Sequence, residues 1–361
     1  MKIDEEPQYV CVKPFLWLDV QQKGECYLCC PSWLPKSIGK LDGEEGTVTA
    51  VWNSPGAQEI RRSVTDGSFR HCRTDICPDF QSKSRFVVRT HDIKEPGPRS
   101  AIDNGETVLP YGPVHLNLSY DRSCNLACPT CRVDFYSARG EELLSIKNVH
   151  DEVIRGAAAH AEWICVTGSG DPFASSHFRA LLSAIDRGLF PVLKKVHLHT
   201  NAQLWTASVW NGFKHLHKLV TTAEISVDAG SAGTYAINRR GGDWDRLLEN
   251  LEFISSLNIE VTLSFVVQEN NFLEMPAFAQ LARGYGFRPY FSKLSNWGTF
   301  SHEEFLRRAI HLKDHPRNAE FEEVLSLLRN GAPTPKPFLG LRFKKPHSGV
   351  LPCNLSAFAT Q

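Results

Sequence analysis

The segment CNLACPTC places Cys124, Cys128 and Cys131 in one short loop, and nothing else in the 361-residue chain narrows its possible folds as far. Three thiols at x3 and x2 spacing suit a cubane iron–sulfur cluster, whose corners accept ligands from a single loop. A [4Fe–4S] cluster held by three cysteines leaves one iron open to a further ligand. A zinc site completed by a distant His or Cys would use the same residues and is the alternative.

The chain holds 11 cysteines in all. Its N-terminus MKIDEEPQYV is acidic and lacks the apolar core of an export signal, so a disulfide scaffold is not expected in a reducing compartment. Metal ligation accounts better for cysteines that fall in groups: Cys11, Cys26, Cys29 and Cys30, then Cys72 and Cys77, then the loop. Cys165 and Cys353 stand alone. The 40 basic residues balance the 40 acidic ones, which favours neither nucleic acid nor an anionic membrane surface as a partner. No segment approaches the length of a membrane-spanning helix. Cytoplasmic residence is expected.

Residues 1–80 are rich in Gly, Pro, Cys and Trp with little helical period, which predicts a small irregular domain stapled by something other than apolar burial. One short helix is expected there, with Ser54 as N-cap, Pro55 in its first turn and Gly67 beyond its end. Residues 81–110 are polar, with loop signals in KEPGPRS and DNGE, and read as a linker. From 111 to 294 strands alternate with amphipathic helices, which predicts an α/β fold with a parallel sheet, a partial (β/α)6 barrel. The expected strands are 114–120, 162–168, 194–200, 223–229, 259–268 and 287–294, with helices near 147–160, 175–188, 205–217, 243–257 and 273–285. Residues 295–361 add two helices, near 302–313 and 318–330, and a Pro- and Gly-rich tail. The three-cysteine loop then follows the first barrel strand, where such folds assemble their sites.

CxxxCxxC in this position resembles the radical S-adenosylmethionine (SAM) superfamily, over about residues 111–294. GSGDP, with Gly168, Ser169, Gly170 and Asp171, resembles the family's GGEP motif, which meets the SAM ammonium through backbone carbonyls and an acidic side chain. HTNA at 199–202 resembles its TNG element, with Asn201 on the cofactor and Ala202 in place of Gly. Ser226 and Asp228 resemble residues that meet the ribose, and Arg239, chosen over Arg240, the arginine that approaches the SAM carboxylate. The segment from Cys11 through Gly24 to Cys29 resembles the auxiliary-cluster motif of SPASM and Twitch domains, here ahead of the barrel rather than behind it. That resemblance implies an auxiliary [4Fe–4S] cluster on Cys11, Cys29, Cys72 and Cys77, with Cys26 and Cys30 as alternative ligands and a zinc knuckle as the alternative site.

The family resemblance implies an enzyme that cleaves SAM reductively and abstracts a substrate hydrogen through a 5′-deoxyadenosyl radical. An external donor such as flavodoxin or ferredoxin would supply the electron. Oxidation or epimerisation of a small intermediate, such as a carbohydrate, is expected; in the second case Cys165 or Cys353 would return hydrogen as a catalytic thiol. A peptide-modifying maturase is the alternative enzyme, and a non-catalytic iron–sulfur or zinc scaffold the alternative class.

Overall fold

A computed structural model describes residues 9–42, 46–82 and 84–330. Their strands are β1 (Tyr9–Cys11), β2 (Trp17–Val20), β3 (Glu25–Tyr27), β4 (Gly39–Lys40), β5 (Val87–Arg89), β6 (His115–Leu118), β7 (Trp163–Val166), β8 (Lys195–Thr200), β9 (Val220–Ser226), β10 (Glu260–Val267) and β11 (Arg288–Lys293). The chain divides into two compact units. Of the described residues, the first takes those within 9–122, 138–170 and 176–196, and the second those within 123–137, 171–175 and 197–330. The fold is mixed α/β with parallel strand pairing. Among the described residues no helix is long and apolar enough to cross a membrane.

In the first unit the strand order is β7-β6-β2-β3-β4. β2 runs parallel to β6, and β6 parallel to β7, while β3 and β4 are antiparallel. The N-terminal segment expected to be irregular therefore supplies ordered sheet. Its hairpin turns at Lys23 and Gly24, both at positive φ, and a Cβ on Gly24 would stand 2.3 Å from the Leu41 carbonyl oxygen. Register puts Trp17, His115 and Trp163 in one row and Asp19, Asn117 and Cys165 in the next. The opposite face, with Leu18, Val20, Leu116, Leu118, Ile164 and Val166, is fully buried.

The stretch expected as a linker, 81–110, instead carries β5, antiparallel to β1, and the helix Pro96–Asp103. Arg61 explains why it is held. From the helix Pro55–Thr65, capped by Ser54 as expected, its buried guanidinium donates to the carbonyls of Pro14 at 3.0 Å and Thr107 at 2.8 Å. A guanidinium needs several acceptors when buried, and carbonyls far apart in sequence supply them.

In the second unit the order is β11-β10-β9-β8, and β10 pairs in parallel with both β9 and β11. Alternation decides the two faces. Ala223, Ile225, Val261, Leu263, Phe265 and Phe291 are buried on one side. Helices Trp244–Ser255 and His302–Arg308 begin where Asp243 and Ser301 accept N–H bonds from Arg246 and Glu304, at 3.0 and 3.2 Å.

Candidate active site

The loop of Cys124, Cys128 and Cys131 lies in the second unit and is shaped by its own backbone. Cys124 N–H donates to Tyr136 O at 3.0 Å, and the N–H groups of Cys131 and Arg132 both donate to Cys128 O at 2.9 Å. Each sulfur then receives a donor. Leu126 N–H and Asn201 Nδ2 approach Cys124 Sγ at 3.4 and 3.6 Å, Arg239 Nη1 approaches Cys128 Sγ at 3.5 Å, and Arg132 Nη2 approaches Cys131 Sγ at 3.4 Å. Burial pushes the Cys124 thiol up to about 12 and raises Cys128 as well, with Arg239 opposing the second shift. Without a metal these thiols keep their protons. A metal that replaces those protons finds thiolates already faced by N–H donors and two guanidiniums, so the donor set fits an iron–sulfur cluster. Among the described residues no three His, Cys, Asp or Glu side chains converge as ligands of a single ion would. A cubane binds each thiolate on a different iron.

Arg239 carries a second sign of a cofactor. Its Nη2 forms an ion pair with Asp228 Oδ2 at 2.7 Å, poorly aligned for a hydrogen bond, and its buried Nε has no acceptor. An unused guanidinium N–H beside a cluster loop is what a cofactor carboxylate would fill. Arg240, by contrast, is exposed and meets the Val133 carbonyl.

Asp171, expected at the SAM ammonium, is held by donors of the protein itself. It is fully buried, and both carboxylate oxygens are already engaged. Oδ1 accepts from the N–H groups of Phe173 and Ala174 at 2.9 and 3.3 Å, and Oδ2 from Thr200 Oγ1 and Asn201 N–H at 2.7 and 3.0 Å. The carboxylate thus positions residues 200–201, and Asn201 in turn reaches Asn125 Oδ1 at 3.0 Å as well as Cys124. Ala202, where the family pattern has glycine, adopts φ +59, which accounts for the glycine preference there. Gly168, Ser169 and Gly170 belong to the first unit, where Gly168 N–H donates to Ser119 Oγ at 3.3 Å and Thr167 Oγ1 donates to Ser169 O at 2.7 Å.

The N-terminal cysteines lie in the first unit, on segments stapled in pairs. Lys13, two residues after Cys11, meets Asp79, two after Cys77, at 2.5 Å. Trp33 Nε1 donates to Cys29 Sγ at 3.2 Å, and Trp33 O accepts from Arg73 N–H, next to Cys72, at 2.7 Å. Burial pushes Cys29 up to about 12 and Cys72 up to about 11, and raises Cys11 and Cys30. Cys26 is different. It is fully buried in β3 with its S–H on the Gly24 carbonyl, which makes it a core residue.

Residues 119–282 match the family model of the radical SAM superfamily. The chain thus carries a radical SAM domain over these residues. Residues 11–78 match the model of an iron–sulfur cluster-binding domain, SPASM, which therefore precedes the radical SAM domain. The cofactors of these domains are a [4Fe–4S] cluster, an auxiliary iron–sulfur cluster and SAM. Similar solved structures include SuiB of Streptococcus suis bound to S-adenosylmethionine, at 16% identity over 66% of this chain and 55% of that one, TM-score 0.40. Another is anSMEcpe with bound AdoMet, at 21% identity over 50% of this chain and 51% of that one, TM-score 0.39. The match thus spans about half the length of each. No curated protein sequence matches the chain.

Within the radical SAM domain, the sheet face opposite the apolar one is polar. His199 Nε2 stands 3.1 Å from Ser226 Oγ and 3.7 Å from Glu224 Oε1, and Ser264 Oγ donates to Ser226 Oγ at 3.2 Å. Register adds Thr262 opposite Glu224 and Tyr290 opposite Ser264. Ser226 therefore sits in a side-chain network rather than beside Arg239. Sequence reasoning missed Glu224, although AEISVDA shows a carboxylate on the face shared with Ser226. It also missed Lys13, Asn125 and Arg132; Asn125 adjoins Cys124 and Arg132 adjoins Cys131, the one signal either carried. Cys165 is on the same face of β7 as Trp163, 8% exposed; Cys353 lies outside the described residues.

Proposed function

We propose that this radical SAM enzyme oxidises a small hydroxylated substrate, of the carbohydrate or cyclitol class, at a carbon bearing a hydroxyl group. The observation that carries the reading is the Glu224–His199–Ser226 network on the polar face of the second unit. Oxidising an alcohol removes a hydrogen atom from carbon, a proton from oxygen and one electron. When bound, the clusters and SAM supply the 5′-deoxyadenosyl radical that takes the hydrogen atom and a sink for the electron. Glu224 and His199 take the proton, while Ser226, Ser264 and Thr262 offer hydroxyls that orient a polyol. Cys124, Cys128 and Cys131 would hold the SAM-binding cluster, with Arg239 Nε on the SAM carboxylate and Asp228 fixing Arg239. Cys11, Cys29, Cys72 and Cys77 would hold the auxiliary cluster. As a radical SAM enzyme the chain needs a reductant, for which flavodoxin or ferredoxin is the proposed donor.

Epimerisation is the second reading, supported by the thiol of Cys165 on the same face of the first-unit sheet as Asn117. Its S–H bond is weaker than the C–H bond it would form. Anaerobic turnover in deuterium oxide, read by mass spectrometry over a panel of hydroxylated intermediates, separates the two. An oxidised product is two hydrogens lighter with no deuterium on carbon. An epimer gains one deuterium there, and a product that joins two carbons contradicts both readings.

A further inference from the structure

Lys13 is only 9% exposed, although a lysine beside a surface normally carries its ammonium out to water. Here the ammonium is turned inward. It lies 2.5 Å from Asp79 Oδ2 and over the rings of Phe86 and Trp17, at 4.7 and 5.1 Å from their centroids. Desolvating such a pair gives back little stability, so burial alone does not explain it. Its neighbours do: the pair joins the segment after Cys11 to the segment after Cys77. The pair thereby fixes each charge two residues from a proposed ligand, Lys13 from Cys11 and Asp79 from Cys77.

We propose that Lys13 is a tuning residue of the auxiliary cluster, its buried ammonium making that cluster easier to reduce, with Asp79 as the moderating counter-charge. The proposal rests on the reading that Cys11, Cys29, Cys72 and Cys77 hold the cluster. Reduction adds one negative charge to a group already ligated by four thiolates. A fixed cation two residues from one ligand, in a medium of low polarity, favours that added charge, and net charge and burial are the levers that set iron–sulfur potentials.

The test is an EPR-monitored redox titration of the reconstituted full-length enzyme, with the signal that responds to SAM separating one cluster from the other. Lys13→Gln is expected to make auxiliary-cluster reduction about tenfold less favourable, which is 59 mV for a one-electron couple. Lys13→Arg keeps the charge and the wild-type potential, Asp79→Asn moves the potential the opposite way, and the SAM-responsive signal stays put throughout. An auxiliary potential unmoved in Lys13→Gln, or moved the same way in Asp79→Asn, overturns the proposal. If Lys13→Gln loses its cluster, Asp79→Asn decides alone: an upward shift supports the proposal and no shift overturns it. A wild-type enzyme whose only signal is the SAM-responsive one refutes the ligand assignment itself, and the tuning role with it.

Discussion

Arg239 places Nη2 2.7 Å from Asp228 Oδ2 and Nη1 3.5 Å from Cys128 Sγ, so one guanidinium joins a buried carboxylate to a thiol of the cluster loop. Arg239→Leu would leave Asp228 buried without its cation, a loss of roughly 3–5 kcal/mol. Arg239→Lys keeps the charge but not the planar fork. The lysine variant is expected to fold and to bind SAM about tenfold or more weakly, the loss of one charge-assisted hydrogen bond. Equilibrium dialysis with labelled SAM checks this, and unaltered affinity in the lysine variant contradicts the placement of Arg239 Nε.

Asp171 is tied to stability rather than to the cofactor alone. Asp171→Asn turns an NH2 group toward N–H and O–H donors that now share the carboxylate, at a cost of roughly 1–3 kcal/mol for each donor left unsatisfied. Urea unfolding of the SAM-free protein should show the loss. A variant as stable as wild type that binds SAM poorly would contradict this and support a direct ammonium contact.

Burial pushes the Asp19 carboxyl up to about 6, with Asn117 and Gln21 donating to it at 2.9 and 2.5 Å. A carboxyl raised in the fold binds its proton more tightly there than in the unfolded chain. Its contribution therefore favours folding at low pH and is lost as pH rises from the unfolded value toward 6, by up to roughly 3 kcal/mol. His115 and His197, pushed down to about 4, act in the opposite sense over the same window. Urea titrations isolate Asp19 by difference: Asp19→Asn should gain on wild type as pH rises from about 4 to about 7. A difference that does not change with pH contradicts the raised pKa.

Strands β6 to β11 were legible because alternation such as KKVHLHT survives in any parallel sheet with one polar face. Ser54 announced its helix through a side chain that bonds the first turn. β2 was not legible: WLDV is four residues long, and its partner β6 lies far along the chain. The helix Gly140–Ala157 starts before its expected position because Arg139 gives no side-chain cap and Leu144 in its first turns is exposed. At the site, residue types were readable but their bonds were not. An acid at position 171 looks the same in sequence whether it binds a ligand or holds a loop, and the inward turn of Lys13 depends on Asp79 and two rings brought in by folding.

Glu224→Gln keeps the size of the side chain and removes the proton acceptor. Substrate oxidation should fall about a hundredfold or more, the usual weight of a general base, while SAM cleavage without substrate continues. Equal losses in both reactions would place Glu224 in cofactor binding instead.

The central claim, that Cys124, Cys128 and Cys131 make this chain a SAM-cleaving enzyme, is tested most directly by anaerobic incubation of the reconstituted protein with SAM and dithionite. The wild type is expected to release 5′-deoxyadenosine and methionine. The Cys124→Ala, Cys128→Ala, Cys131→Ala triple variant is expected to release neither, yet to keep about half the iron, on the order of four atoms for one remaining cubane. Release of 5′-deoxyadenosine by the triple variant, or none from an iron-replete wild type, would contradict the claim.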